Sequence, residues 1–333
     1  MKVFDLHCDT LSELRYAERR GEAKSFATND LHIDLEKLHK GDYMLQCFAA
    51  FVNLSDPTPG ADPLVTALEE VDVFKRIMAK YSDQIAPVYR PEDIRCNAQA
   101  GKISGMLTIE EGGCCKGSLG VLRQMYELGA RMMTLTWNHE NELASPNVVP
   151  GGGGDIWPCK PNTETGLKER GFEFLAEMER LHMIVDVSHL SDRGFWDIAE
   201  HSTRPFAASH SNCRALAPHC RNLTDEMIRV MAEKGGLVGL NYCSGFLDNQ
   251  PRPELCRSTT ALMARHAAHF KQVGGIEIIG LGSDFDGIGG KLEMGDCSKL
   301  PLLADALRKE GFTEDEVEQI FFRNAQRFFE ENL

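Results

Sequence analysis

No stretch of 18 consecutive apolar residues occurs in this 333-residue chain, which excludes a transmembrane helix. Cations are in deficit: 36 Lys and Arg against 50 Asp and Glu leave a net charge of −14. A surplus of negative charge argues against a nucleic-acid backbone or an anionic membrane as partner, because both need clustered cations. The 11 cysteines are odd in number, scattered, and contain no C-x-x-C pair, which reads as reduced thiols rather than a disulfide framework. No apolar signal region precedes Asp5-Leu6-His7-Cys8-Asp9, and Phe328-Phe329-Glu330-Glu331-Asn332-Leu333 is too polar for a lipid-anchor signal, so a cytoplasmic location is expected. Neither a Pro/Ser-rich linker nor an internal repeat divides the chain, and one domain over residues 1–333 is expected.

What is present is an alternation. Short apolar runs fall at Val3–Leu6, Met44–Val52, Ile103–Ile109, Arg131–Thr136, Met183–Val187, Pro205–Ser209, Gly236–Asn241 and Ile276–Leu281. Helical patterns lie between them, at Pro63–Tyr81, Leu119–Leu128, Gly166–Leu181, Asp192–His201, Thr224–Glu233, Thr259–Val273 and Leu302–Lys309. Strands apolar on both faces, each followed by a helix, imply a parallel sheet. Eight such units predict an α/β fold of the closed (β/α)8 TIM-barrel kind, whereas five or six would suit an open doubly wound sheet.

Metal-ligand residue types recur at the C-terminal ends of these strands. His7-Cys8-Asp9 follows the first, and residues i and i+2 of an extended chain point the same way, so an imidazole and a carboxylate reach one ion. A second H-x-D, His32-Ile33-Asp34, follows no strand, and Asp34 is placed to cap a short helix over Leu35–Lys40. Glu111 precedes Gly112-Gly113, which let the backbone pass close to an ion, and its two oxygens could bridge two cations; an exposed acidic strand end is the alternative. His189 and His210 each close consecutive apolar strands as Ser-His pairs, which would stand side by side at a barrel mouth. Asp284 follows the last strand, with Asp286 as a competitor that could simply fold the turn before Gly287. Mixed imidazoles and carboxylates suit a borderline ion such as zinc, whereas magnesium or calcium would take oxygen alone. With Glu111 as bridge, His7 and Asp9 would hold one ion and His189 and His210 the other. Two ions about 3.5–4 Å apart would acidify a shared water, and Asp284 would serve as the base that shuttles its proton.

With these residues in view, the chain resembles the membrane (renal) dipeptidase family, peptidase family M19 of the amidohydrolase superfamily. The likeness rests on Glu111-Gly112-Gly113 with Gly117-Ser118-Leu119-Gly120-Val121-Leu122, on Thr165-Gly166-Leu167 with Gly171, and on Met183 to His189. Ser209-His210-Ser211, Arg221-Asn222 and the segment from Gly282 to Gly287 complete it in order. The resemblance implies a metal-dependent hydrolase barrel with two zinc ions, cleaving L,L and L,D dipeptides. Small dipeptides would then be the partners, and monomer and homodimer both stay open. It also implies that Asp284 is the catalytic carboxylate and that Arg221 grips the substrate's C-terminal carboxylate, work suited to a guanidinium fork. One departure is visible. The family carries a carbonyl-polarising histidine after its Thr-Leu-Thr strand, but here Thr134-Leu135-Thr136 is followed by Trp137-Asn138-His139, so His139 is expected to take that role from two residues further on. The signal peptide and lipid-anchor tail of the mammalian enzymes have no counterpart in this sequence.

Several other features read more plainly. Cys8 is expected in the barrel wall, and Cys114-Cys115 lack a histidine partner for nucleophilic catalysis. Gly151–Gly154 reads as a loop that could cover a substrate, His266 and His269 as a solvated helix face, and the phenylalanines from Phe321 to Phe329 as core or subunit interface. Two rival functions remain at this level: the same site opening a lactam, lactone or phosphoester, and a metal-binding protein without catalysis.

Overall fold

Apolar runs fix the architecture. In the computed structural model, which describes residues 1–22, 24–58, 60–148 and 160–333, nine strands form. They are β1 (Val3–Asp5), β2 (Tyr43–Phe51), β3 (Ile85–Pro87), β4 (Ile103–Glu110), β5 (Ala130–Thr134), β6 (Ile184–Asp186), β7 (Ala207–Ala208), β8 (Leu237–Leu240) and β9 (Ile279–Leu281). All pair in parallel, in the order β2-β1-β9-β8-β7-β6-β5-β4, and β4 pairs back onto β2. Eight strands therefore close the (β/α)8 barrel that the sequence predicts. The extra strand β3 only lines the first residues of β4. Residues 276–278, expected as the start of the last strand, are instead a turn of 3-10 helix that delivers the chain into β9.

Helices follow the strands and begin where capping side chains allow. Asp62 accepts from the N–H groups of Leu64 and Val65 ahead of Pro63–Lys80, Ser118 caps Leu119–Leu128, Ser191 caps Asp192–His201, and Thr224 caps Asp225–Glu233. Asp34 does cap the helix Leu35–Lys40, accepting from Lys37 N at 2.8 Å.

Strand alternation sorts residues into two apolar layers. Ile103, Leu107, Ile109, Met133, Val185, Val187, Val238 and Leu240 pack outward with the helices. Phe4, Leu45, Met106, Met132, Ile184, Ala207 and Leu237 fill the barrel's interior. The C-terminal helix Asn324–Asn332 closes that interior: Phe328 and Phe329 are buried in it, and the Phe329 ring stacks on Phe4 at 5.7 Å. These phenylalanines are core. His266 is also core, which corrects the solvated-face expectation. On Thr260–Gly274 it shares a side with Met263 and Phe270, accepts the Cys213 N–H at Nδ1 and hydrogen-bonds the Leu247 carbonyl through Nε2. Its neighbour His269 instead meets Asp225 at 2.7 Å. Cys8, Cys114 and Cys115 are buried free thiols, whereas Cys220 is disulfide-bonded, so the expectation of uniformly reduced cysteines fails there. Gly151–Gly154 lies outside the described residues, and no described helix is long and apolar enough to cross a membrane.

Candidate metal centre

Along β4, Ser104, Met106, Thr108 and Glu110 share one parity, and Met106 belongs to the inner layer. The same alternation that buries Ile109 outward therefore aims Glu110 into the barrel mouth. Its Oε2 lies 3.3 Å from His7 Nε2, and its Oε1 lies 3.1 Å from His189 Nε2 and 3.6 Å from His210 Nε2. Glu111, expected as the bridge, is not part of this cluster. With φ at +96° the chain turns there, and the Glu111 carboxylate accepts from Gly113 N at 2.7 Å, Trp137 N at 2.9 Å and Asn141 Nδ2. It ties together the loops after β4 and β5, and Glu110 takes the central position.

Five of the residues expected at the site, His7, Asp9, His189, His210 and Asp284, gather with Glu110. His7 Nε2 is 3.5 Å from Asp9 Oδ2 and 4.0 Å from Asp284 Oδ1, so two overlapping clusters form: His7, Glu110 and His210, and His7, Asp9 and Asp284. Asp9 stands at the N-terminus of Thr10–Arg19 without capping it, which leaves its oxygens to the cluster. His189 and Asp284 sit at left-handed φ of +66° and +62°, a conformation costing on the order of 1–3 kcal/mol and typical of functional strand ends.

His189 and His210 bring their Nε2 atoms within 3.1 Å of each other, while buried His7 Nε2 and Asp9 Oδ1 have no hydrogen-bond partner. A divalent cation fits this mixed donor set, where it would satisfy nitrogens and oxygens that are otherwise opposed or orphaned. Burial pushes Asp9 up to about 8, with Glu110 and Asp284 adding to the rise. Burial alone would depress His7, yet the Glu110 and Asp9 carboxylates hold it well above an ordinary imidazole. His189 is pushed down to about 4 by burial and by nearby Arg221.

Above the cluster opens a cleft of about 370 Å³, walled by Tyr16, Phe51, Trp137, Asn138, Phe246 and Ile288 among others. Arg221 is buried behind it. Its Nη2 donates to the His210 carbonyl at 3.1 Å, its Nε has no partner, and its guanidinium faces the Phe246 ring at 5.3 Å. His139 does not line the cleft. Its ring is held by Asn53 Oδ1 at 3.1 Å and Ser55 Oγ at 3.4 Å, because the loop after β5 turns Trp137 and Asn138 toward the site instead. The residue of that loop that touches the cluster is Asn138, whose Oδ1 lies 3.0 Å from His189 Nδ1. Nothing in the sequence singles it out. Asp286, the competitor to Asp284, accepts from Thr10 Oγ1 at 2.6 Å and His32 N at 2.7 Å, so the second H-x-D segment serves to pin the β9 loop.

Comparison with known proteins agrees with this fold. The family described as membrane dipeptidase (peptidase family M19) matches residues 1–332. An uncharacterised dipeptidase of Schizosaccharomyces pombe is 33% identical over 308 residues, covering 89% of this chain and 71% of that protein. The crystal structure of the M19 metallopeptidase called dipeptidase AC is similar with a TM-score of 0.89 at 28% identity, covering 100% of this chain and 98% of that one. A Rhodobacter sphaeroides metallopeptidase, crystallised with a phosphinate mimic of the dipeptide L-Ala-D-Ala, gives a TM-score of 0.89 at 26% identity, with 100% and 99% covered. From barrel, cluster and likeness together, the chain belongs to peptidase family M19, the membrane dipeptidases, and is a metallo-dipeptidase.

Proposed function

We propose that the protein, as a single barrel domain, hydrolyses dipeptides of L,L and L,D configuration using two zinc ions. One would be held by His7 and Asp9, the other by His189 and His210, with Glu110 between them. The observation that carries this reading is the split of the Glu110 carboxylate, one oxygen toward His7 and the other toward His189 and His210. When bound, the two ions would supply a water acidified to near neutrality and a polarised scissile carbonyl.

The chain's own groups do the rest. Asn241 Nδ2 donates to Asp284 Oδ2 at 2.9 Å, which leaves Oδ1, on the His7 side, to take a proton and pass it to the departing peptide nitrogen. Arg221, with an unpaired Nε and its guanidinium beside the Phe246 ring that lines the cleft, would meet the substrate's terminal carboxylate. The cleft, about 370 Å³, is large enough to take a dipeptide. Likeness to the enzyme bound to a mimic of L-Ala-D-Ala supports the inclusion of D-configured C-terminal residues.

The deciding experiment is turnover of L-Ala-D-Ala and L-Ala-L-Ala by zinc-loaded protein beside a chelated control. Metal-dependent cleavage is expected for both. A protein that binds two zinc ions yet cleaves neither would overturn the reading in favour of a non-peptide substrate.

A further inference from the structure

Below the metal cluster lies a buried carboxylate that the hydrolytic chemistry does not use. Asp186 ends β6 with the parity of Ile184, so it points into the barrel one layer above the apolar floor. It is 1% exposed. Its Oδ1 accepts the backbone N–H groups of Ser188 at 3.0 Å and Ser209 at 2.9 Å. Its Oδ2 accepts the hydroxyls of Thr134, at 2.8 Å, and Ser209. Four donors fill the four acceptor positions of an ionised carboxylate.

The consequence passes to Ser209. A hydroxyl has one proton and two lone pairs. The proton is committed to Asp186, because two facing lone pairs at that separation would repel. Ser188 Oγ, 3.3 Å away, can supply one donor, having itself accepted the His210 N–H at 3.1 Å. The remaining lone pair faces His210 Nδ1 at 2.7 Å. Hydrogen bonding at Ser209 is complete only if Nδ1 carries the imidazole proton. Nε2, which faces Glu110, is then the bare nitrogen that a cation requires.

We infer that Asp186 is a positioning residue that acts through Ser209 to fix the tautomer of His210, holding Nε2 unprotonated toward the metal centre. Its value for zinc binding rests on the two-metal function proposed above, but the tautomer itself does not. His189 is served differently, by the Asn138 amide oxygen on its Nδ1, so the two histidines on one side of Glu110 have independent supports.

Asp186→Asn separates polarity from shape. The amide group at the Oδ2 position would donate to Ser209, whose own proton would then turn to His210 Nδ1 and drive the ring proton onto Nε2. The test reads the His210 tautomer in the metal-free full chain from long-range 1H–15N correlations on histidine-labelled protein, with the peak assigned by a His210→Gln variant. Zinc affinity is read separately by competition with a chromophoric chelator. Expected are Nδ1–H in the wild type, Nε2–H in D186N, and about 10–100-fold weaker zinc binding at one of two sites in D186N, with the other site within about twofold. Ser209→Ala removes the relay without reversing it, and covers the case in which D186N does not fold. In S209A the fixed Nδ1–H signal should give way to a mixture of tautomers. Wild-type His210 protonated at Nε2, or Nδ1–H kept unchanged in D186N or in S209A, would overturn the inference. A wild type with the expected tautomer but no affinity for zinc would overturn the proposed function and leave Asp186's role standing.

Discussion

Adjacent carboxylates at the end of β4 have opposite fates because the backbone turns left-handed between them. Glu110 faces three imidazoles, and Glu111 faces three N–H donors. Their amide variants should therefore fail in different ways. Glu110→Gln is expected to leave the fold intact and weaken metal binding by more than about a hundredfold, beyond what loss of a supporting residue costs. Glu111→Gln is expected to keep metal affinity near the wild type but lower stability by about 2 kcal/mol, since one amide group must face a donor. Zinc titration and denaturant unfolding of both variants check the pair. Arg221 supplies a second contrast. Arg221→Ala should raise KM for dipeptides about a hundredfold, the worth of about 3 kcal/mol in charged hydrogen bonds, with kcat much less affected. Steady-state kinetics on a dipeptide and on a neutral ester measure it, and an unchanged KM would count against the carboxylate grip.

At the scale of elements, two features outside the metal cluster can be tested. Asp34 accepts from the N–H groups of Lys37 and Asn29 at 2.8 and 2.9 Å, so Asp34→Ala should cost about 1–2 kcal/mol in chemical unfolding while leaving turnover unchanged. His266 makes stability depend on pH. Burial depresses it to about 4, and its Nδ1 accepts a backbone N–H that a protonated ring would repel. A base whose folded pKa lies below its unfolded value of about 6.5 binds more protons when unfolded, so stability falls as pH falls from 6.5 toward 4. By pH 5 this one residue should cost about 2 kcal/mol. Unfolding of wild type and His266→Gln across that window should show the variant's slope flattened by about one proton. Elements of this kind were legible to different degrees in the sequence. The eight barrel strands stand out because burial on both faces leaves apolar runs that nothing else explains. β3 has three residues including Pro87, and Thr10–Arg19 buries only Leu11, Leu14 and Ala17 as apolar residues, with Thr10, Ser12 and Arg15 buried beside them, so its apolar period is too weak to stand out. His266 lies three residues from Met263 and four from Phe270, a period that marks it as buried. Glu110 was equally readable from the parity of Met106. Asn138 and the retreat of His139 depend on how a loop folds over the barrel mouth, which no local pattern encodes.

For the whole molecule, the proposed ligands come from β1, β4, β6 and β7, on separate parts of the barrel wall, so ions at their centre would tie the ring together. Chelation should therefore lower the midpoint of thermal unfolding as one cooperative transition. Each ion present at a hundred times its Kd contributes about 2.7 kcal/mol, enough for a shift of several degrees by calorimetry. A melting curve indifferent to chelator would mean that the cluster is preformed without need of a cation. The closure of the barrel also has a consequence in time. β1 is made first, but its partner β9 begins at Ile279, and Phe329 covers Phe4 only when the last helix is in place. A ribosome that has released two-thirds of this chain has made His7, Asp9, Glu110, His189 and His210, yet has no ring in which to hold them. Metal loading is thus an event of the finished polypeptide, and a truncated one is a set of loose ligands rather than a weaker enzyme.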